Sequence, residues 1–280
     1  MKIKITAESS CDLSPEQVRQ YGVQILPMPV VLGEDTFHDG IDLTPDDIYA
    51  YVAKNKILPK TCAIAPLQFE EYFTEQLKDA DAVIHFCISS QISSCYQNAC
   101  LAAEEVKNVY VVDTKSLSTG MGLLILEAAT LARAEDADAA SIAEHCRALA
   151  DKLDVSFVLG NLEYMRKGGR CSAVEMFGAN LLNLRPLLQM AEGKLGVYNK
   201  LRGPLPKVLT AYIDERLKNA DPVTDRIFFT YTCSDDTIPN LAKKYLEEKG
   251  MFKEILLSRA GATVTSHCGK DTFGILFFNK

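Results

Sequence analysis

Along the first half of the chain, apolar runs of strand length alternate with amphipathic stretches of helix length, the pattern that a parallel α/β sheet with crossover helices imposes. Lys2 to Ala7 reads as the first strand, and Ser14-Pro15-Glu16-Gln17 as a capping box opening a short helix. Gln24 to Leu32 reads as a second strand. Thr44-Pro45-Asp46-Asp47 then places a cap, a proline and an acidic first turn where a helix start needs them. Pro66 leads a helix to about Leu77, followed by a strand from Ala82 to Ile88, a helix from Ser93 to Val106, a strand from Val109 to Val112 and a helix beginning near Ser118. The alanine-rich helix Ala137 to Leu153 reads as the connection to a second domain.

The pattern then changes. Val155 to Leu159 predicts a strand, Leu162 to Lys167 a helix, Lys167-Gly168-Gly169-Arg170 a turn, and the next residues a helix to about Leu182. Leu184 to Met190 and Leu195 to Lys200 flank Glu192-Gly193, a hairpin signal. Helices over Pro206 to Lys218 and Thr237 to Lys249 surround a strand from Arg226 to Tyr231, and the final GATVTSHCGKDTFGILFF reads as strand, glycine-bearing turn, strand. The fold class this predicts is α/β with two α/β domains, 1–153 with a mainly parallel sheet and 154–280 with a mixed one. The boundary rests on the change of pattern alone.

At 280 residues the chain is long enough for a core that stands without disulfides. A net charge of −7 and no Lys/Arg block exclude a nucleic-acid footprint. The nine cysteines include no C-x-x-C pair and no close histidine ladder, so their spacing indicates no metal site. MKIKITAESS has no apolar core of signal-peptide length, and the greasiest stretch, Leu123 to Leu131, contains Glu127. A reduced, cytoplasmic protein without a spanning segment is the expectation.

The most informative segment is Asp81 to Ala103, DAVIHFCISSQISSCYQNACLAA, where an apolar strand breaks into Ser89, Ser90, Ser93 and Ser94 ahead of a helix. Backbone N–H groups at a helix start lack intrahelical partners and sit at the positive end of the dipole, so hydroxyls there can cradle a carboxylate or phosphate. An ordinary N-cap by Ser93 or Ser90 explains the same residues. Likewise Gly168-Gly169 reads as a helix C-cap, Thr61 as a turn residue, and His267 as a histidine satisfied by backbone.

SSCDL at 9–13, FHDG at 37–40 followed by IDLTPDDIY, SSQISSCYQNA at 89–99, LEYMRKGGR at 162–170 and SHCGKDTFGILF at 266–277 occur in the order and spacing of one family. On them the chain resembles, over essentially its whole length, the DegV family of bacterial fatty-acid-binding proteins. The resemblance implies two α/β domains, an apolar tunnel for a long-chain fatty acid, and a non-catalytic role: presenting the acid to a separate fatty acid kinase, which makes an acyl phosphate. That places the chain in phospholipid metabolism, with transient membrane contact compatible with the role and no cofactor. It implies that Thr61 and Ser93 donate hydroxyls to the carboxylate, Ser94 a backbone N–H and His267 a hydrogen bond. Arg170, with Arg202 as the weaker candidate, would meet the kinase or the new phosphate.

The chain departs from the family pattern at two places. Thr61-Cys62-Ala63-Ile64-Ala65 stands where members commonly show T-S-Q-P-S, and Ser93-Ser94-Cys95 where they show S-G-T. Both departures bear on ligand preference. They also raise an alternative: Cys95 in the first turn of a helix, its thiol acidified by the dipole, or Ser93, would pair with His267 in an acyl or thioester hydrolase. No G-x-S-x-G elbow supports it. A third alternative is an interaction protein with a filled, dry core.

Overall fold

The computed structural model describes residues 1–175 and 184–280. A four-stranded sheet in the order β2 (Gln24–Leu26), β1 (Ile3–Glu8), β6 (Ala82–Cys87), β7 (Val109–Asp113) is parallel throughout. β6 is buried at all six positions, as a central strand covered on both faces must be. Helices α1 (Pro15–Tyr21) and α2 (Pro45–Asn55) start where expected, each with a reciprocal capping box: Ser14 with Gln17, and Thr44 with Asp47.

A six-stranded mixed sheet occupies the second half, in the order β10 (Lys194–Arg202), β9 (Leu184–Ala191), β8 (Leu153–Val158), β13 (Phe273–Phe278), β11 (Arg226–Tyr231), β12 (Glu254–Arg259). Only β11 and β12 run parallel. Glu192 and Gly193, at φ 50° and 78°, make the tight β9–β10 turn that their sequence signals. Helix α5 (Thr119–Leu131) lies between the two sheets, which explains why it is apolar on all sides: Leu124 and Ile125 join the core under β1 and β6, while Leu123 and Leu126 pack on Val155, Phe228 and Leu276. Helix α6 (Ala139–Ala150) leads into β8. No described helix is long and apolar enough to cross a membrane.

Three expectations are corrected. Gln24 to Leu32 is two strands: Pro27 and Pro29 lack the N–H a continuing ladder needs, so the chain leaves the parallel sheet after β2. It then forms β3 (Pro29–Leu32) in an antiparallel sheet with β4 (Asp35–His38) and β5 (Lys60–Thr61). GATVTSHC is helix α11 (Ala262–Cys268), not a strand. Strand β12 was not anticipated. The helix expected to reach Leu182 is described only as Ser172–Glu175, and its remainder lies outside the described residues. The other helices are α3 (Pro66–Gln76), α4 (Cys95–Glu105), α7 (Leu162–Gly168), α9 (Leu205–Lys218) and α10 (Thr237–Lys249), with Ser172–Glu175 as α8.

Candidate functional site

Strand β5 places Thr61 opposite Val30 of β3, and Asn98 of α4 ties the following segment down by donating Nδ2–H to the Ile64 carbonyl at 2.7 Å. The start of α4 therefore sits beside Thr61. Of the four serines before it, two are used structurally: Ser89 Oγ donates to the Gly193 carbonyl of the β9–β10 turn at 2.7 Å, and Ser90 N–H donates to Asp113. Ser93 Oγ accepts the Cys95 N–H at 3.2 Å, which leaves its own proton free to donate elsewhere. Ser94 occupies the N-cap position with its side chain uninvolved, and its N–H meets no acceptor among the described residues.

His267 arrives from α11, whose start is fixed from far away in the chain. Asp39 accepts the N–H groups of Ala262 (2.6 Å) and Thr263 (3.1 Å) and the Ser9 hydroxyl (2.9 Å). Asp12 accepts the Gly261 N–H (2.7 Å) and the Ser118 hydroxyl (2.5 Å). A Cβ on Gly261 would stand 2.8 Å from Asp39 Oδ1, so glycine is required for this close approach. Burial pushes the Asp12 carboxyl up to about 8 despite these donors. SSCDL and FHDG thus contribute two aspartates that position the helix carrying His267. Reading the sequence assigned them no role, because the groups they cap lie more than two hundred residues away.

His267 Nε2 is 2.8 Å from Thr61 Oγ1. Burial first, and the Arg170 charge second, lower the imidazole to about 4, so it is neutral at physiological pH. Its Nδ1 faces Gly168, where a Cβ would come within 2.5 Å. Gly169 ends α7 in the left-handed conformation at φ 67°, and Arg170 then donates to the Gly168 carbonyl at 2.6 Å. Each glycine of the GGR turn has its own steric reason, and Arg170 remains exposed.

Thr61, Ser93, Ser94, Arg170 and His267 all line one cavity of about 210 Å³. The rest of its wall is mainly apolar, including Met28, Ile88, Ile92, Leu117, Phe157 and Leu195. A smaller cavity of about 30 Å³ shares the walls Leu117, Phe157, Val264 and Cys268 and extends toward the mixed sheet. Arg202, at the end of β10 opposite Leu184, does not line either cavity.

One expectation about Cys95 fails. Its side chain is fully buried, with Sγ 3.9 Å from Met28 Sδ, and burial followed by the Glu8 charge pushes the thiol up to about 12. Desolvation outweighs the helix dipole here, and His267 is engaged with Thr61 instead.

The family described as an uncharacterised protein family, DegV, matches residues 2–280. The chain belongs to the DegV family. This DegV-family chain is 28% identical over 283 residues to a DegV domain-containing protein of Caldanaerobacter subterraneus, covering 100% of this chain and 99% of that one. Its fold superposes with a TM-score of 0.91, at 28% identity and over 100% of both chains, on a Thermus thermophilus DegV family protein described for its fatty acid binding. A fatty-acid-binding DegV family protein of Streptococcus agalactiae superposes at 0.84 with 25% identity, over 100% of this chain and 99% of that one.

Proposed function

We propose that the protein is a non-catalytic cytoplasmic carrier that holds a long-chain fatty acid between its 1–153 and 154–280 domains and presents it to a separate kinase for acyl phosphate formation. The observation that carries this reading is the cavity: five polar residues line a chamber whose remaining wall is mainly apolar and is shared with a second, smaller one. A buried carboxylate is costly unless several donors meet it. Ser93 Oγ–H and Ser94 N–H supply two such donors with no permanent counter-charge. Thr61 supplies a third when His267 is the Nε2–H tautomer, because the imidazole then donates to Thr61 Oγ1 and frees the hydroxyl proton for the ligand. Arg170 at the exposed edge is then available to the kinase or to the phosphate, with transient membrane contact for loading. Burial of about fifteen methylenes at ~0.8 kcal/mol each gives a gross term of about 12 kcal/mol, reduced by association and chain ordering.

The Thr61–His267 hydrogen bond is also what a hydroxyl nucleophile and its base require, so hydrolysis is the second reading. Against it, an imidazole lowered to about 4 is a weak base, and Nδ1 has no orienting carboxylate among the described residues. Native mass spectrometry and lipid extraction of the purified protein test the carrier. A bound or readily acquired long-chain fatty acid is expected, together with acyl phosphate formation when a cognate kinase and ATP are added. A protein that takes up no fatty acid, or one that hydrolyses acyl thioesters and loses this activity in His267→Ala, overturns it.

A further inference from the structure

Where β1 and β6 run side by side lies a second polar cluster that the carrier does not use. Glu8 ends β1, while His85 and Cys87 lie on β6, and the parallel register that pairs Thr6 with His85 brings all three to one face of the sheet. Their potential ligand atoms lie within 4.8 Å of one another, and all three residues are fully buried. Two atoms of this cluster are unusual for a core: Glu8 Oε1 and His85 Nε2 have no hydrogen-bond partner among the described residues.

The remaining polar atoms are held as the supports of a metal site are held. Glu8 Oε2 accepts the Ile88 N–H at 3.0 Å and the Ser10 hydroxyl at 3.2 Å, and His85 Nδ1 is 2.8 Å from Thr6 Oγ1, which fixes the ring. Phe69 and Phe73 set their rings edge-on to His85 at 5.4 and 5.2 Å, so no water reaches it from that side.

We propose that Glu8, His85 and Cys87 form a buried structural site for one zinc-class divalent cation. One carboxylate, one imidazole and one thiolate are ligand types that Zn²⁺ takes, whereas Mg²⁺ and Ca²⁺ require more oxygen ligands. Binding expels the Cys87 thiol proton as the metal–sulfur bond forms. The ligands close from their present spacing to the roughly 3.5 Å separation that Zn–N and Zn–S bonds of about 2.0 and 2.3 Å imply. Linear spacing could not reveal such a site, because its members come from two neighbouring strands far apart in the chain.

The test is metal analysis of the full chain purified without chelator, combined with Co²⁺ substitution. About one equivalent of zinc retained through dialysis is expected, and the cobalt form should show tetrahedral d–d bands with thiolate charge transfer. His85→Phe and Cys87→Val should each weaken zinc binding at least tenfold, read by competition with a chromophoric chelator, with circular dichroism as the folding control. Should either variant not fold, the wild-type cobalt spectrum decides. Wild-type protein without zinc and without tetrahedral cobalt bands overturns the site, as does zinc binding that both folded variants retain.

Discussion

Two helix starts that flank one cavity, those of α4 and α11, are treated in opposite ways. At α11, the N–H groups of Gly261, Ala262 and Thr263 all go to carboxyl groups of the protein, those of Asp12 and Asp39. At α4, Ser93 takes one N–H, while those of Ser94, Tyr96 and Gln97 meet no acceptor among the described residues, and the adjoining space is the cavity. A helix start favours a carboxylate in either place. The α11 start has one from the chain itself and so becomes a rigid mount for His267, whereas the α4 start is available to a carboxylate from outside.

The sharpest way to break this comparison is to remove the internal carboxylate. Asp39→Ala should cost about 3 kcal/mol or more of stability, since three donors lose a buried charged partner, two of them at a helix start. Urea unfolding checks it, and a midpoint equal to wild type would mean that α11 does not depend on its cap.

Next comes the helix that this cap mounts. Because His267 is lowered to about 4 when folded, the unfolded chain binds its proton first as pH falls. Its contribution is fully present above about 6.5 and lost as pH drops toward 4, on the order of 3 kcal/mol. Wild type should therefore lose that much relative to His267→Gln between pH 7 and 4, and parallel stability curves for the two proteins would refute the buried neutral imidazole.

At the α4 end the effects belong to binding rather than stability. Ser93→Ala and Thr61→Val should each weaken fatty-acid binding by ~1–3 kcal/mol, measured with a fluorescent fatty acid, because each removes one donor to a buried carboxylate. Unchanged affinity in both would place the head group elsewhere. Arg170→Ala should have the smallest effect on binding, below about 1 kcal/mol for an exposed charge, yet impair kinase-dependent transfer. Loss of affinity as large as that of Ser93→Ala would move Arg170 into the head-group site.

What was legible in the sequence was local. Ser14-Pro15 and Thr44-Pro45 carry their own capping partners three residues on, and Glu192-Gly193 carries its own turn geometry. The serine-rich break before α4 was legible as a helix start, although nothing local separates Ser89 and Ser90, which hold structure, from Ser93 and Ser94, which line the cavity. Helix α11 was not legible. Thr263, Val264 and Thr265 favour a strand, and the groups that stabilise the helix come from residues 12 and 39. The acidified thiol expected of Cys95 failed for a related reason: position in a helix is local, but burial against Glu8 is not.

The central claim is that the α4 start receives a carboxylate as the α11 start does. A crystal structure of the protein with a bound long-chain fatty acid tests it most directly. The account predicts carboxylate oxygens within about 2.7–3.2 Å of Ser93 Oγ, Ser94 N and Thr61 Oγ1, with the tail running past Leu117 and Phe157. A carboxylate paired with Arg170 at the cavity edge, with the tail against the serines, would contradict it.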